Sequence, residues 1–204
     1  YQRCVNIFCK HCKLEKEDTV IDIGAGVGTE VCYFTDQIGA LGNLYNLEAS
    51  PSSYEILETL TKKNELVNCH NFNLAISNSL EPIWMEEGDN YVVNTVNKES
   101  KGVMIQAATL DQFVIDNAIS SIKLLKVNIE GAEFDMIDGM KESIYYIDNV
   151  AISCHDFLFS RGNEIRDKVV TFLTANKFDI FYENTGNVVL DSWIYGKKRT
   201  SLHK

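Results

Sequence analysis

The sequence has 204 residues, which suits one domain, and 45% of them are hydrophobic, so a full core can be buried and a disordered chain is excluded. The formal net charge is −10. Four basic residues lie near the end, namely Lys197, Lys198, Arg199 and Lys204, so the rest of the chain is strongly acidic. This acidity disfavours broad nucleic-acid binding. No apolar stretch is long enough to span a bilayer, and no signal-peptide pattern opens the chain.

Residues 1–17 are predicted to form a leading helix. This segment carries Cys4, Cys9 and Cys12, with His11 before the last of them, a spacing that could begin a zinc or iron–sulfur site. A fourth ligand is not evident nearby, so reduced cysteines are the simpler interpretation. We therefore expect a cytoplasmic protein.

Strand and helix patterns then alternate, which is typical of a mostly parallel sheet covered by helices on both faces. We predict strands over residues 19–23, 43–47, 122–129 and 147–154, of which 122–129 is buried, and a third strand with its exit loop over 68–76. Helices are predicted between and after them, beginning near residues 31, 51, 109, 130 and 165.

The end of the chain is predicted to form an antiparallel pair. Two strands, over residues 178–182 and 188–194, are joined by a turn at 184–187. A less regular region carries two further candidate hairpin strands, near residues 83–85 and 91–96. The sequence thus predicts an α/β three-layer sandwich of Rossmann type with seven strands, comprising one domain over residues 18–195 and a basic tail over 196–204.

Residues 22–28 place three glycines between a strand and a helix, where backbone can approach a ligand closely. A dinucleotide fingerprint requires its third glycine where this chain has Thr29. The acid that opens the motif suits a cationic, amino-acid-bearing ligand better than a pyrophosphate. The loop therefore favours S-adenosylmethionine, and its candidate binding residues are Asp22, Gly24, Ala25, Gly26 and Gly28.

Glu48, followed by Ala49, ends the second predicted strand. A carboxylate there can accept hydrogen bonds from both hydroxyls of a ribose, as it does in NAD sites, so it indicates an adenosine ligand without choosing the cofactor. The alternative is that the glycines only make a tight turn and that Glu48 is a surface residue.

Five sequence blocks occur in an order that resembles the FkbM-type methyltransferases, namely residues 20–25, 46–51, 74–77, 109–111 and 125–133. The resemblance implies a class I methyltransferase fold and O-methylation of a hydroxyl on a small molecule, sugar or lipid-linked product, with S-adenosylhomocysteine released. It also implies that residues 74–77 border the adenine, with Asn73 and Ala75 as the contacting positions.

Candidate catalytic residues follow the fourth and fifth strands, because the reactive crevice of an open α/β sheet lies at the carboxyl ends of its strands. They are Asn128, Glu130 and His155. His155 is the first candidate for a general base, and Asp156 could orient it or cap a helix. The alternative is that His155 is only a hydrogen-bonded loop residue.

Asn128 departs from the resemblance, since the family usually has aspartate there. Asparagine can orient a hydroxyl but cannot take its proton. Glu133 lies at a helix start, where a carboxylate is favourable in itself, so a structural role is expected. A divalent ion held by Asn128, Glu130, His155 and Asp156 could be accommodated by ligand type, although the spacing does not demand one.

Two alternatives to an O-methyltransferase are a module that binds S-adenosylmethionine without turnover, which Asn128 favours, and an NAD-linked oxidoreductase, which the glycine spacing and Asp22 disfavour. Methylation at nitrogen is disfavoured because the chain lacks a proline-containing loop after Asn128.

Overall fold

The computed structural model describes residues 1–86, 95–97, 102–158 and 162–199. In chain order the strands are β1 (Thr19–Ile23), β2 (Asn43–Glu48), β3 (Cys69–Asn73), β4 (Ala75–Ile76), β5 (Ile83–Glu86), β6 (Thr95–Asn97), β7 (Val103–Ile105), β8 (Ala107–Ala108), β9 (Ile122–Val127), β10 (Ile147–Ser153), β11 (Phe178–Tyr182) and β12 (Trp193–Lys198). The helices are α1 (Val31–Ile38), α2 (Pro51–Lys63), α3 (Leu110–Asp116), α4 (Glu133–Met136), α5 (Glu164–Ala175) and α6 (Val188–Asp191).

A seven-stranded sheet forms the centre of the molecule, in the order β11-β12-β10-β9-β1-β2-β3. Strand β12 is antiparallel to both of its neighbours, while the pairs from β10 through β3 are parallel. This topology confirms the predicted α/β sandwich with a mostly parallel sheet and a terminal antiparallel pair. It also brings the carboxyl ends of β9, β1, β2 and β3 to one edge.

Alternating side chains of the central strands enter two separate hydrophobic cores, one on each face of the sheet. On β1, Ile21 packs in one core with residues of α3 and α5, whereas Val20 packs in the other with residues of α1 and α2. Strand β10 repeats the pattern, with Ile152 in the first core and Ala151 in the second. The sheet is therefore buried on both faces, as parallel sheets are.

Local caps set two of the predicted helix starts. The Ser50 side chain accepts a hydrogen bond from Ser53 N, and Pro51 occupies the first helical position of α2. Thr109 Oγ1 accepts from Gln112 N at the start of α3.

The predicted strand over 188–194 is wrong, because residues 188–191 form helix α6. Asn187 Oδ1 accepts hydrogen bonds from the N–H groups of Val189 and Leu190, at 3.0 and 3.2 Å, and this cap overrides the β-branched composition. The last strand begins instead at Trp193 and continues to Lys198, three residues into the predicted basic tail.

Two other predicted elements differ in extent. The leading helix over 1–17 is reduced to one π-helical turn, Cys4–Phe8, closed by a 2.8 Å hydrogen bond from Cys9 N to Cys4 O. The segment 68–76, predicted as the third strand and its exit loop, forms β3 in the main sheet and β4, which pairs with β8. The strand at 83–85 is confirmed as β5, paired with β6 and β7, whereas part of the strand at 91–96 lies outside the described residues.

Across the described ranges, none of the helices combines the length and the apolar character needed to cross a membrane.

Candidate active site

A cavity of about 290 Å³ lies at the edge of the sheet where β1, β2, β3 and β9 end. Six of the predicted cofactor-binding residues line it: Gly24, Ala25, Gly26, Glu48, Ala49 and Ala75. In the described part of the chain, three others do not line it: Asp22, Gly28 and Asn73. The cavity therefore joins the glycine loop, the acidic end of β2 and the segment predicted to border an adenine.

The structural environment that a side chain would meet differs among the three glycines of the loop. Gly24 has φ +76°, and a Cβ there would overlap the Asn128 carbonyl oxygen, so the loop can pass over the end of β9 only without a side chain. Gly26 has φ +57°, and a Cβ there would meet no described atom within 4 Å, since this residue faces the cavity. Gly28 allows close packing on α2, where Leu57 Cδ1 would lie 2.8 Å from a Cβ.

Glu48 is held rigidly at the edge of the cavity. Its Oε2 accepts a hydrogen bond from Gly26 N at 2.7 Å and its Oε1 accepts one from Ser50 N at 2.8 Å. Burial raises the pKa of Glu48, while these backbone hydrogen bonds and Lys126 oppose the shift. Each carboxylate oxygen keeps a lone pair for a further donor, such as a ribose hydroxyl.

Asn73 supports this arrangement from outside the cavity. Its Nδ2 donates hydrogen bonds to the carbonyl oxygens of Glu48 and Ala49, both at 2.9 Å, and so ties β3 to the end of β2. Of the two positions predicted to contact an adenine, Ala75 lines the cavity with its neighbours and Asn73 does not.

Asp22 forms a buried ion pair instead of facing a cationic ligand. Lys126 Nζ lies 2.7 Å from Asp22 Oδ1 and donates a 3.0 Å hydrogen bond to Gly24 O. Burial raises the pKa of Asp22 to about 6, against the opposing effect of Lys126. The pair thus fixes the glycine loop to β9. Sequence analysis missed Lys126, although a lysine inside an otherwise apolar strand was a signal that it has a partner.

His155 is oriented by Glu133, a residue that the sequence suggested was only structural. His155 Nδ1 lies 2.6 Å from Glu133 Oε1. Glu133 is fully buried, and it also accepts hydrogen bonds from the backbone N–H groups of Ile129 at 3.0 Å and Gly131 at 2.8 Å. Three donors therefore fix this carboxylate.

Asp156, the alternative partner of His155, caps helix α5. Its two carboxylate oxygens accept hydrogen bonds from Ile165 N at 2.8 Å and Arg166 N at 3.0 Å. Of the two roles proposed for Asp156, the structure supports the helix cap.

Glu130 connects His155 to the cavity. Its Oε1 lies 3.8 Å from His155 Nε2, and Glu130 lines the cavity together with Asn128, whereas His155 is buried behind it. Burial alone would lower the pKa of His155, but the hydrogen bond and charge of Glu133 and the charge of Glu130 raise it above its ordinary value. Burial raises the pKa of Glu130, against the charge of His155.

The two nitrogens of His155 face different carboxylates, so Glu130 and Glu133 do not converge on one point beside the ring. Among the residues that the structure describes, no three His, Cys, Asp or Glu side chains are grouped as around a metal ion. The ligand set envisaged from the sequence is not assembled, since Asp156 caps α5.

The N-terminal cysteines are free thiols. Burial raises the pKa of Cys9 to about 12 and that of Cys12 to about 11, so both stay protonated near neutral pH. They are not grouped with His11 as metal ligands in the described chain.

The chain matches the sequence model of the methyltransferase FkbM domain over residues 22–180. Hexuronic acid methyltransferase AglP of Haloferax volcanii is 22% identical over 145 residues, which cover 69% of this chain and 57% of that relative. The match thus spans little more than half of the relative's length.

Two of the solved structures that are similar in fold illustrate the likeness. The methyltransferase FkbM of Methylobacillus flagellatus has a TM-score of 0.57 at 13% identity, covering 89% of this chain and 43% of that one. An rRNA methylase of Streptococcus thermophilus has a TM-score of 0.57 at 10% identity, covering 92% and 90% of the two chains. These likenesses confirm the expected class I methyltransferase fold.

Proposed function

Because the chain belongs to the methyltransferase FkbM-domain family, we propose that it transfers a methyl group from S-adenosylmethionine to a hydroxyl of a sugar or other small molecule. One observation carries the proposal: Glu130, 3.8 Å from the buried His155–Glu133 pair, lines the same cavity as the glycine loop and Glu48. A group able to accept a proton and a site suited to an adenosyl ligand thus share one cavity.

The residues at the cavity fit such a cofactor. Glu48 would accept hydrogen bonds from the ribose hydroxyls, because its oxygens are already aimed by Gly26 and Ser50. The apolar segment around Ala75 would border the adenine. The open space beside Gly26 would let the cofactor approach the loop backbone.

When bound, S-adenosylmethionine supplies an activated methyl group, whose transfer forms an O–CH₃ bond, breaks the S–CH₃ bond and yields S-adenosylhomocysteine and the proton of the hydroxyl. Glu130 would accept this proton, since it lines the cavity and burial raises the pKa of its carboxyl, which makes it a stronger base. Asn128, also at the cavity, would orient the hydroxyl through its amide.

His155 acts in this proposal as a positioning residue. The sequence favours it as the base, but the base is better assigned to Glu130 because His155 lies behind Glu130 and away from the cavity lining. Glu133 and Glu130 raise the pKa of His155, and the charge of the protonated ring would in turn favour ionised Glu130. Glu133 fixes the ring at the opposite nitrogen.

A sugar-like acceptor, in particular an acidic monosaccharide, is suggested by the name of the Haloferax volcanii relative. The acidic composition disfavours a nucleic-acid acceptor in this proposal. The free thiols fit a protein of the cytoplasm.

The test incubates the purified chain with S-adenosylmethionine and D-glucuronic acid, with glucose as the neutral comparison, and follows S-adenosylhomocysteine and methylated sugar by mass spectrometry. We expect a methyl ether, which survives alkaline hydrolysis. Glu130→Gln should lower the rate about 100-fold while binding S-adenosylhomocysteine normally, and Glu142→Gln, a change at an exposed glutamate, should be neutral.

Three outcomes would contradict the proposal in different ways. Formation of an alkali-labile methyl ester would show that the acceptor is a carboxylate and not a hydroxyl. Binding of S-adenosylhomocysteine without transfer to either sugar would favour the non-catalytic module. Binding of NAD alone would favour the oxidoreductase.

A further inference from the structure

Arg3 precedes the residues that match the family, yet it lines the cavity. The segment that carries it is anchored in the second hydrophobic core by Cys4 and Phe8, which are 2% and 1% exposed. Tyr1 adds a contact on the other side, since its ring packs edge-on against Tyr33 of α1 with the centroids 5.6 Å apart. The backbone at Arg3 is therefore anchored by packed residues on both sides, although the Arg3 side chain itself is exposed.

The ring of Phe8 shows which end of the cavity Arg3 occupies. Arg3 Cζ lies 5.4 Å from the centroid of this ring, and Lys126 Nζ lies 5.3 Å from the same centroid. Lys126 in turn donates to the carbonyl of Gly24, at the end of β1. Arg3 thus lies at the β1 and β9 end, whereas Glu48 and Ala75 mark the β2 and β3 side.

The two cations of the cavity differ in their availability. Lys126 is neutralised by Asp22 at 2.7 Å. Arg3 forms no ion pair within the described ranges, and its guanidinium lies over the face of the Phe8 ring. A guanidinium with free donors is the group that best recognises a carboxylate.

Glu30 offers the opposite charge in the same cavity. It precedes α1, is only 6% exposed, and makes no side-chain hydrogen bond or ion pair with any residue that the structure describes. The other carboxylates of the lining are engaged: Glu48 with backbone, Glu130 near His155 and Asp135 with Asn78.

Arg3 and Glu30 lie at the same end of the cavity. Both line the cavity, and their neighbours in the chain, Cys4 and Val31, are buried in the same hydrophobic core. The Cys4 thiol agrees with this placement: burial raises its pKa most, Glu30 raises it further and Arg3 lowers it. A buried acid and a free guanidinium at one end of the cavity match a ligand that carries an ammonium and a carboxylate on the same carbon.

We propose that Arg3 and Glu30 form the subsite for the amino-acid end of the cofactor, with the Arg3 guanidinium binding the α-carboxylate and the Glu30 carboxylate binding the α-ammonium. This inference rests on the proposed function, because it needs S-adenosylmethionine as the ligand. It assigns the N-terminal segment to the cofactor site, although the family match begins only at residue 22.

The experiment compares two ligands by calorimetric titration. S-adenosylhomocysteine carries the amino-acid end, whereas 5′-methylthioadenosine keeps the adenosine and the thioether and lacks that end. Each is titrated into the wild-type chain, Arg3→Ala, Arg3→Lys and Glu30→Gln. Lys10→Ala is the matched control, since it removes a cation of the same segment that pairs with Glu183 at 2.8 Å on the surface.

We expect Arg3→Ala and Glu30→Gln each to weaken the binding of S-adenosylhomocysteine about 10-fold or more, as for the loss of a charge-assisted hydrogen bond. Arg3→Lys should recover part of the loss, because lysine keeps the charge without the bidentate geometry. All variants should bind 5′-methylthioadenosine within about twofold of the wild type, and Lys10→Ala should bind both ligands normally.

Equal weakening of the binding of both ligands would overturn the inference, since Arg3 would then act only by maintaining the conformation of the N-terminal segment. Unchanged S-adenosylhomocysteine binding in Arg3→Ala would also overturn it. If that variant instead lost only the binding of D-glucuronic acid, the carboxylate recognised would be that of the acceptor. A wild-type chain that binds neither adenosyl ligand would overturn the proposed function together with the inference.

Discussion

His155 Nδ1 lies 2.6 Å from Glu133 Oε1, and the two residues come from different elements at the ends of β10 and β9. The second nitrogen of the ring faces Glu130, which reaches the cavity. The imidazole is therefore held between a fully buried carboxylate and one that lines the cavity, so we expect changes at Glu133 to affect Glu130.

The first prediction concerns the protonation of His155. Glu133→Gln removes the charge that raises the pKa of His155, so burial and the weaker effect of Glu130 should leave that pKa lower than in the wild type. NMR titration of the histidine ring measures it. Glu142→Gln, at an exposed site, should leave the value unchanged. An unaltered His155 titration in Glu133→Gln would contradict the pairing.

The pH dependence of stability follows from the same pair. The folded-state pKa of His155 is raised, so the native state binds the proton more tightly than the unfolded chain does. The resulting stabilisation is fully present below the unfolded pKa, near 6.5, and is lost as the pH rises through the folded value. Denaturant unfolding of wild type and His155→Gln should therefore differ most at pH 6 and less at pH 9. A difference that grew with pH would contradict the sign.

The Asp22–Lys126 pair should be strongly coupled. Lys126→Met leaves a buried carboxylate without its partner and should lower the free energy of unfolding by about 3–5 kcal/mol. Asp22→Asn combined with Lys126→Met should cost less than the sum of the two single changes.

Lys123→Met is the control for this cycle, because Lys123 makes only a looser pair with Asp148, at 3.8 Å on the surface, and its loss should cost less than about 1 kcal/mol. Strict additivity of the Asp22 and Lys126 changes in urea unfolding would refute the coupling.

Two glycines of the loop should respond differently to alanine. Gly24→Ala places a methyl group on the Asn128 carbonyl and should prevent native folding of the loop. Gly26→Ala has room and should cost only about 1 kcal/mol for its positive φ, but the methyl group would occupy space needed by the ligand. Thermal unfolding and ligand titration together separate the two effects. Equal stability losses would contradict this distinction.

The elements that sequence analysis predicted well have local causes. The β-branched run before Gly24 and the cap at Ser50 determine their conformations within a few residues. The partners that complete the site are distant in the chain. Lys126 is 102 positions from Gly24, and His155 is 22 positions from Glu133, so residue type and spacing alone do not reveal these contacts.

The end of the chain shows the opposite failure, in which a local cap defeats a composition-based prediction. Val188 and Val189 favour a strand, but Asn187 caps the turn. Asp191 accepts hydrogen bonds from the N–H groups of Thr185 at 2.7 Å and Gly186 at 2.9 Å, which closes a compact loop before β12. The sheet pairing itself, antiparallel at β12, agrees with the prediction.

The measurement that tests the central claim most directly is calorimetric titration of S-adenosylhomocysteine into the wild-type chain, Glu48→Ala and the exposed-site control Glu55→Ala. We predict saturable binding to the wild type and to Glu55→Ala, weakened at least 10-fold in Glu48→Ala, because hydrogen bonds to a charged acceptor are worth about 1.5–3 kcal/mol each. Absence of binding to the wild type, or equal affinity in Glu48→Ala, would contradict the assignment of this cavity to the cofactor.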